Sequence, residues 1–368
     1  MAFLIQEGSL KIEELAVVGY EKVVKVEDPA VGLQAIICIH SLALGPALGG
    51  IRIYPYANWD AALTDVKRLA EAMSSKAALS DCFLGGGKSV IIAAPHEKTE
   101  ALLLSFGRAI ELLGGIYIGA EDVGSSPADI LTISKATKYV TGLPHKKSSG
   151  NPSGFTAWGV YRGIQSALKH VYGSDSVQGK TVAIQGVGSV GAFLAEMLFW
   201  NGANLIVTDV SIEKAQDLAR KYGGTYVPSQ EIFTAACDVF APCALGGVIN
   251  ADIIPGLKCK IVAGAANNQL LLESDGQALV ERGILYAPDF VINAGGLMNV
   301  TDEIMPDGYN AARVRDKVNE IYDTLTMIFA LAEEKKCSTH LAAKKMADHR
   351  IENKIGARVE APCFHHAL

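Results

Sequence analysis

Residues 181–192 read TVAIQGVGSVGA, an apolar run that leads into three spaced glycines. The run 181–185 predicts a buried strand, and the residues from Val190 onward predict a helix. In such a strand–turn–helix unit Gly186 permits the tight turn, Gly188 lets the backbone approach a pyrophosphate, and Gly191 allows the helix to pack on the strand. The stretch therefore predicts a dinucleotide-binding βαβ unit, although a glycine turn that binds nothing is the alternative.

The next predicted strand, residues 204–209, ends in a carboxylate. At that place Asp209 can accept a hydrogen bond from a ribose 2′-hydroxyl, and it would repel a 2′-phosphate. The N-terminus of the helix after the glycines supplies N–H groups and positive potential for phosphates. The pattern thus predicts NAD as the cofactor rather than NADP.

Strands and helices keep alternating further along the chain. Strands are predicted at 237–242, 260–264 and 285–291, and the residues from about 311 to 350 have a helical pattern. Repeated βαβ units favour a doubly wound parallel sheet, so the fold class is α/β.

Before the glycine unit, the spacing of the apolar residues changes several times between that of strands and that of helices. Residues 16–26 and 33–40 predict short strands, and the apolar stripe from Asp60 predicts a helix that ends near Lys76. Residues 89–93 predict a buried strand that begins directly after Lys88. A further strand at 116–118 leaves Asp122 just past its end. We expect Lys88 and Asp122 to lie at strand ends, where side chains can reach a cleft.

These charged residues have plain structural interpretations as well. A lysine at the end of a surface helix, such as Lys76, is usually solvated. Lys88 follows three glycines and precedes an apolar strand, so burial should lower its pKa and make it a competent general base. Asp122 could act in catalysis or could cap the helix expected near Pro127. The residues alone leave that choice open.

Composition sets broad limits. The chain has 368 residues, 49 % of them hydrophobic, and a net charge of −6, which argues against nucleic acid or an anionic membrane as partner. Seven cysteines without a C-x-x-C pair favour a reducing cytoplasm, and we expect no metal site, including at His365 and His366. The start of the chain does not resemble a signal peptide, and no apolar run is long enough for a membrane span.

Several segments, in this order, resemble the glutamate, leucine, phenylalanine and valine dehydrogenase family, and most closely its leucine-type members. The resemblance covers nearly the whole chain to about residue 350. The segments that carry it are 44–50, 84–88, 120–124, 150–153, 240–247, 268–270 and 288–296.

The resemblance implies a role for each matching residue. Lys76 pairs with the substrate α-carboxylate, Lys88 activates water, and Asp122 moves protons to and from the amino nitrogen. The other substrate-binding positions are Leu48, Gly49, Met73, Ala120, Asn268, Leu297 and Val300. The cofactor-binding positions are Thr156, Gly186, Val187, Gly188, Ser189, Val190, Gly191, Ala192, Asp209, Val210, Cys243, Ala244, Asn268 and Asn293.

The resemblance also implies architecture and assembly. It predicts two domains around a cleft: a substrate-binding and oligomerisation domain at 1–145 plus 332–368, and a Rossmann-type NAD-binding domain at 146–331. The polar segment 144–154 is the predicted hinge. A homo-oligomer is expected, an octamer in the family's pattern, although the tail after Arg358 departs from the family.

The implied reaction is reversible oxidative deamination of an L-amino acid to a 2-oxo acid and ammonia. Apolar Leu48 and Val300 stand where glutamate-specific members bind the distal carboxylate, so a branched side chain is predicted: leucine, with valine and isoleucine. Leu297 departs from the leucine type. A phenylalanine or tryptophan preference is therefore the first alternative, and a non-enzymatic nucleotide-binding relative is the second.

Overall fold

The computed structural model describes residues 4–143 and 148–367, and it confirms the predicted α/β class with two compact units. Unit 1 comprises the described residues up to 150 together with 300–310 and 347–367, and unit 2 comprises 151–299 and 311–346. No helix in the described ranges is long and apolar enough to cross a membrane.

Unit 1 contains a seven-stranded sheet and three helices. The strands are β1 (Leu4–Glu7), β2 (Leu10–Leu15), β3 (Lys22–Asp28), β4 (Leu33–Ser41), β5 (Ala47–Tyr54), β6 (Gly85–Ile92) and β7 (Tyr117–Glu121). The helices are α1 (Trp59–Leu79), α2 (Glu100–Leu112) and α3 (Pro127–Ser134). Their order in the sheet is β1-β2-β3-β4-β6-β5-β7. The pairs up to β4–β6 are antiparallel, whereas β5 is parallel to both β6 and β7.

Helices cover both faces of this sheet. Asn58 caps α1 by accepting a hydrogen bond from the Ala61 N–H, and the apolar stripe of α1 packs with Ile36 and Val90. The opposite face packs against the apolar residues of α2 and α3, among them Phe106 and Ile133. The helical period seen in the sequence therefore corresponds to one buried helix face, as expected.

The prediction that a strand begins directly after Lys88, with Lys88 at its end, was wrong. Strand β6 begins at Gly85, so Lys88 lies inside it. The three glycines are extended and buried because each lies against other parts of unit 1: a β-carbon on Gly86 would lie 2.1 Å from the Ser74 nitrogen of α1. Glycine has no apolar pattern to reveal a strand, which is why the sequence did not show this one.

Unit 2 has a six-stranded, wholly parallel sheet in the order β10-β9-β8-β11-β12-β13. The strands are β8 (Thr181–Gln185), β9 (Asn204–Thr208), β10 (Thr225–Tyr226), β11 (Val239–Pro242), β12 (Ile261–Val262) and β13 (Leu285–Tyr286). The strand order reverses between β8 and β11. This is the doubly wound pattern, in which ligands bind at the carboxyl ends of the strands beside the reversal.

The helices after α3 match the predicted helical segments except for the three between residues 274 and 301, which were not predicted. They are α4 (Ser153–Tyr172), α5 (Ser189–Trp200), α6 (Ile212–Lys221), α7 (Ser274–Glu281), α8 (Asp289–Ile292), α9 (Gly295–Thr301), α10 (Ala311–Asn319), α11 (Ile321–Lys335) and α12 (Thr339–Glu352). The strand predicted over 285–291 was too long. After Pro288 the chain turns into α8, where Asp289 accepts a hydrogen bond from the Tyr286 hydroxyl at 3.0 Å.

The contacts divide the chain at slightly different places from the predicted domains. The first change comes after residue 150 rather than 145, and residues 332–346 group with unit 2. Helix α11, which contains residues 332–335, packs along α4 of unit 2. Residues 300–310, predicted in the second domain, group with unit 1. Residues 144–147 of the predicted hinge lie outside the described ranges.

Candidate active site

The central feature of unit 1 is a buried ion pair between Lys88 and Asp122. Lys88 lies on β6 with 5 % of its surface exposed, and its Nζ is 2.9 Å from Oδ1 of Asp122. Asp122 directly follows β7, as predicted. A buried lysine is rare unless it is paired, so Asp122 gives Lys88 the partner that its burial requires. Buried charged pairs of this kind also occur at catalytic sites.

Strand β5 brings these two residues together. It lies between β6 and β7, and Gly50 of β5 is opposite Ala120 of β7. A β-carbon on Gly50 would lie 2.7 Å from Cβ of Asp122 and 2.9 Å from Nζ of Lys88. The ion pair therefore occupies the space that a side chain at Gly50 would take.

Arg52 is a member of this cluster that the sequence did not reveal. Its Nε donates to Oδ2 of Asp122 at 2.9 Å, and its Nη1 donates to Oδ2 of Asp65 at 2.9 Å. The hydroxyl of Tyr56 also donates to Asp65, at 2.5 Å. The available signal was a lone arginine between buried Ile51 and Ile53, two residues after Gly50 on the same strand.

Burial and charge together shift the pKa values of this cluster. Burial lowers the pKa of Lys88, the carboxylate of Asp122 opposes that effect only in part, and Arg52 adds to it. Burial alone would raise the pKa of Asp122, but the charges of Lys88 and Arg52 hold it below its usual value. The site thus holds a carboxylate beside an amine that releases its proton more readily than an ordinary lysine.

The structure also answers whether Asp122 caps the next helix. Ser126 is the N-cap of α3 and forms a reciprocal capping box with Asp129. The backbone N–H of Asp122 instead donates to the Ser125 hydroxyl at 2.9 Å, which fixes the turn after β7. The carboxylate of Asp122 is therefore directed to Lys88 and Arg52.

The other predicted substrate residues of unit 1 lie on neighbouring elements. Leu48 and Gly49 are buried on β5, and Ala120 is half-buried on β7. Half-buried Met73 and Lys76 lie in the last two turns of α1, the part that contacts Gly86 through Ser74. Val300 is half-buried, and its carbonyl accepts a hydrogen bond from Thr141 at 3.3 Å. Leu297 and Asn268 belong to unit 2.

The glycine turn of unit 2 has the geometry that the sequence predicted. Gly186 has a φ of +97°, which favours glycine, and a β-carbon on Gly191 would lie 2.0 Å from the Gly186 oxygen. A β-carbon on Gly188 would meet no atom within 4 Å. No side chain caps α5 after Gly188, so its first N–H groups are available to an anion.

Asp209 follows β9 and lies beside this turn. Its two carboxylate oxygens accept hydrogen bonds from the backbone N–H groups of Val187, at 2.7 Å, and Ser211, at 2.9 Å. Val210 is almost fully exposed. A carboxylate oxygen can accept more than one bond, so Asp209 keeps capacity for a ribose hydroxyl.

The remaining candidate cofactor residues also belong to unit 2. Cys243 and Ala244 follow β11, and the Cys243 N–H donates to Gln185 at 2.7 Å. Asn268 has a φ of +51°, and its N–H donates to Asp289. Asn293 donates to the Ala265 oxygen at 3.0 Å, while its own buried Oδ1 has no partner in the described chain.

Thr156, also predicted to bind the cofactor, lies in the first turn of α4. The Thr156 hydroxyl donates to the Pro152 oxygen at 3.1 Å. A cavity of about 480 Å³ borders the turn and is lined in part by Val187, Ser189 and Ala192. The open backbone at Gly188, the uncapped start of α5 and the unpartnered Oδ1 of Asn293 are features that suit a dinucleotide.

No group of three or more His, Cys, Asp or Glu side chains within residues 4–143 and 148–367 could hold a metal ion. In the tail, Nε2 of His365 lies 2.9 Å from the Met305 carbonyl oxygen, the distance of a hydrogen bond.

Comparison with known proteins gives consistent matches. Residues 20–139 match the family model "Glu/Leu/Phe/Val dehydrogenase, dimerisation domain", and residues 207–358 match "Glutamate/Leucine/Phenylalanine/Valine dehydrogenase". The chain is 49 % identical to leucine dehydrogenase from Thermoactinomyces intermedius over 90 % of this chain and 91 % of that protein. It is 44 % identical to L-tryptophan dehydrogenase from Nostoc punctiforme over 96 % and 99 %.

The crystal structure of L-tryptophan dehydrogenase from Nostoc punctiforme superposes with a TM-score of 0.83 at 43 % identity, and covers 91 % of this chain and 96 % of that one.

Proposed function

We propose, from the premise that this chain belongs to the glutamate, leucine, phenylalanine and valine dehydrogenase family, that it deaminates L-leucine oxidatively with NAD. Membership of the family makes the chain an amino-acid dehydrogenase that uses NAD(P). The proposed reaction is reversible and yields the 2-oxo acid, ammonia and NADH, with valine and isoleucine as further substrates. The single observation that supports the chemistry most is the buried Lys88–Asp122 pair.

In this proposal Lys88 is the general base that activates water. A neutral amine is needed to take a proton from water as it attacks the iminium carbon of the substrate. Burial lowers the pKa of Lys88, so a larger fraction of it is neutral at a given pH than for a solvated lysine. Burial in the sheet thus lowers the pKa of Lys88 in the direction that a general base needs.

Asp122 is the proposed proton carrier for the substrate nitrogen. Its Oδ1 is 2.9 Å from Nζ of Lys88, so protons can pass between the two groups within one hydrogen bond. Arg52 is a positioning residue because it holds the other oxygen of Asp122. Lys76, one of the basic residues near these strands, is the proposed partner of the substrate α-carboxylate.

NAD is the proposed hydride acceptor, and it supplies the oxidising step when bound. The open turn at Gly188 and the uncapped start of α5 favour its pyrophosphate. Asp209 would accept a bond from the adenosine ribose 2′-hydroxyl and repel a 2′-phosphate, which supports NAD over NADP. Asn293 leaves a buried oxygen for a hydrogen-bond donor.

The proposed substrate class follows from apolar neighbours. Leu48, Met73, Ala120 and Val300 in unit 1 carry no charge, and Leu48 is buried. Burying an unpaired carboxylate against such residues costs several kcal/mol, which disfavours glutamate. A branched aliphatic side chain loses nothing there and gains from leaving water.

An aromatic preference is the second candidate. Its support is the similarity to the Nostoc punctiforme L-tryptophan dehydrogenase, which extends over a larger share of the chain than the similarity to the Thermoactinomyces intermedius enzyme. Leu297, which departs from the leucine type, is the residue we expect to decide between the two.

The test measures NADH oxidation with ammonia and five 2-oxo acids: 4-methyl-2-oxopentanoate, 3-methyl-2-oxobutanoate, phenylpyruvate, indolepyruvate and 2-oxoglutarate. The largest kcat/KM on the branched acids supports the proposal. The largest kcat/KM on the aromatic acids would support the second candidate instead. NADH binding without turnover on any of them would mean a non-enzymatic relative.

The same proposal includes assembly and location. Family members are oligomeric, and we propose a homo-oligomer of eight subunits in the cytoplasm. Light scattering of the purified protein measures the mass directly.

A further inference from the structure

Two cysteines of unit 2 occupy equivalent places before neighbouring strands. Strands β11 and β12 are parallel, with Val239 opposite Ile261. Cys237 lies two residues before the first of these, and Cys259 lies two residues before the second. The two cysteines are therefore in register at the amino-terminal ends of paired strands.

The surroundings place both thiols in one environment. Cys259 is buried, and half-buried Cys237 packs against the same apolar cluster, which also contains Phe240 and Val262. The two thiols lie near enough to shift each other's pKa, and both contribute, after burial, to the raised pKa of the Tyr172 hydroxyl. Both are free thiols in this structure.

The geometry points to Cys237 and Cys259 as a redox-active pair that forms a reversible disulfide when hydrogen peroxide oxidises the protein. Paired strands lie about 4.8 Å apart, and disulfides form over Cα separations of roughly 4.4 to 6.8 Å. The backbone therefore has the spacing that a disulfide needs. No step of the proposed deamination uses either residue, so the pair is an additional site.

The chemistry balances with peroxide as the oxidant. A thiolate of the pair attacks one peroxide oxygen, the O–O bond breaks, and hydroxide leaves to give a sulfenic acid. The second thiol attacks that sulfur, the S–S bond forms, and the S–OH bond breaks. The thiol protons neutralise the two hydroxides. Two thiols and one peroxide thus give one disulfide and two waters, and a dithiol reverses the step.

The proximity of the two thiols helps the first step. Interaction with Cys237 lowers the pKa of Cys259, although burial opposes it, and the reciprocal interaction raises the pKa of Cys237. The pair as a whole loses its first proton more easily and its second less easily. Burial raises the pKa of Cys38 and of Cys243, each to about 12. Peroxide should therefore select the pair.

The test treats the full-length protein with dilute peroxide and counts free thiols after denaturation. We expect two of the seven cysteines to disappear, with the loss of two hydrogen masses from the intact chain, and dithiothreitol to restore both. Diamide, which converts adjacent thiols to disulfides without a sulfenic acid, should give the same product.

Variants assign the bond. Cys237→Ser and Cys259→Ser should abolish the two-thiol loss, while Cys337→Ser, which removes another half-buried cysteine, should keep it. Seven titratable thiols in the treated wild type would overturn the proposal whatever the variants do. A two-thiol loss that persists in Cys237→Ser would overturn it as well, since other cysteines would then form the bond.

Discussion

Lys88 in unit 1 and Gly188 in unit 2 are both proposed to contact a ligand, but they do so in opposite ways. In the proposal, Lys88 acts through an ionisable side chain whose position and pKa are set by burial, Asp122 and Arg52. Gly188 acts through backbone, and its contribution is the absence of a side chain. In the proposal, the chemistry therefore depends on electrostatics, whereas cofactor recognition depends on open space and backbone N–H groups. Substitutions in unit 1 should therefore mainly lower turnover, and substitutions in unit 2 should mainly lower cofactor affinity.

The largest expected effect is on turnover alone. Lys88→Ala should lower kcat by about 10²- to 10⁴-fold because the proposed general base is lost, while NADH binding stays near the wild-type value. Steady-state kinetics and NADH fluorescence titration measure the two separately. Lys135→Ala, which removes an exposed lysine paired with Glu100, is the control and should behave as wild type. Wild-type turnover in Lys88→Ala would remove Lys88 from the mechanism.

Substitutions at two glycines of unit 2 should affect NADH binding and fold stability separately. Gly188→Ala adds a β-carbon into open space, so the melting temperature should hold, but NADH affinity should fall by about 10- to 100-fold because the pyrophosphate is kept away. Gly191→Ala places its β-carbon 2.0 Å from the Gly186 oxygen and should destabilise the fold by roughly 1–3 kcal/mol. Calorimetry and NADH titration of both variants test this. Equal NADH affinity in Gly188→Ala and wild type would contradict the proposed phosphate site.

Arg52 offers a smaller and more specific change. Removing its charge in Arg52→Gln should raise the pKa of Asp122 and also that of Lys88, since Arg52 lowers both. The carboxylate then protonates at higher pH, and the amine becomes neutral only at higher pH. The whole pH profile of amino-acid oxidation should move upward by roughly one pH unit, with about a tenfold loss of kcat at neutral pH.

The control for Arg52 is Arg68→Gln. Arg68 contacts the same Asp65, at 3.2 Å, but is mostly exposed, so its loss should leave the profile unchanged. Arg52→Lys keeps a positive charge and should shift the profile less than Arg52→Gln. A profile that does not move in Arg52→Gln would show that Arg52 supports the fold rather than the ionisation of the pair.

The smallest effect is expected at Asp209. Asp209→Ala removes the proposed ribose ligand and two bonds to the turn, so NADH affinity should fall about fivefold, close to 1 kcal/mol. Preference for NADH over NADPH should fall further, because the repulsion of the 2′-phosphate is lost. Kinetics with both cofactors measure this, with exposed Glu213→Ala as control. Unchanged cofactor preference would count against Asp209 as the ribose ligand.

Sequence periodicity predicted the elements whose buried faces have a regular spacing. The helix from Asp60 was predicted because it buries one apolar face, and the strand 181–185 was predicted because it is a short apolar run that is largely buried. The strand through Gly85, Gly86 and Gly87 was missed, since glycine carries no hydrophobic signal. The order of strands in the two sheets comes from long-range pairing, which local pattern does not encode.

The candidate site was predictable where a residue has a distinctive neighbour in the sequence. Lys88 follows three glycines, and Asp122 follows a strand. The choice between catalysis and capping for Asp122 needed the structure, because Ser126 was an equally good cap by type. Arg52 could not be assigned from sequence, since its partners Asp65 and Asp122 are 13 and 70 residues away.

The glycines that open β6 also limit how this protein can evolve. A β-carbon on Gly85 would lie 2.1 Å from the Ser41 oxygen, and one on Gly86 would lie 2.1 Å from the Ser74 nitrogen. Every substitution of a glycine adds at least a β-carbon, so these two positions have no small mutational step open to them. We expect natural drift in substrate preference to accumulate instead at Leu48, Met73 and Ala120, which can be replaced by other apolar side chains.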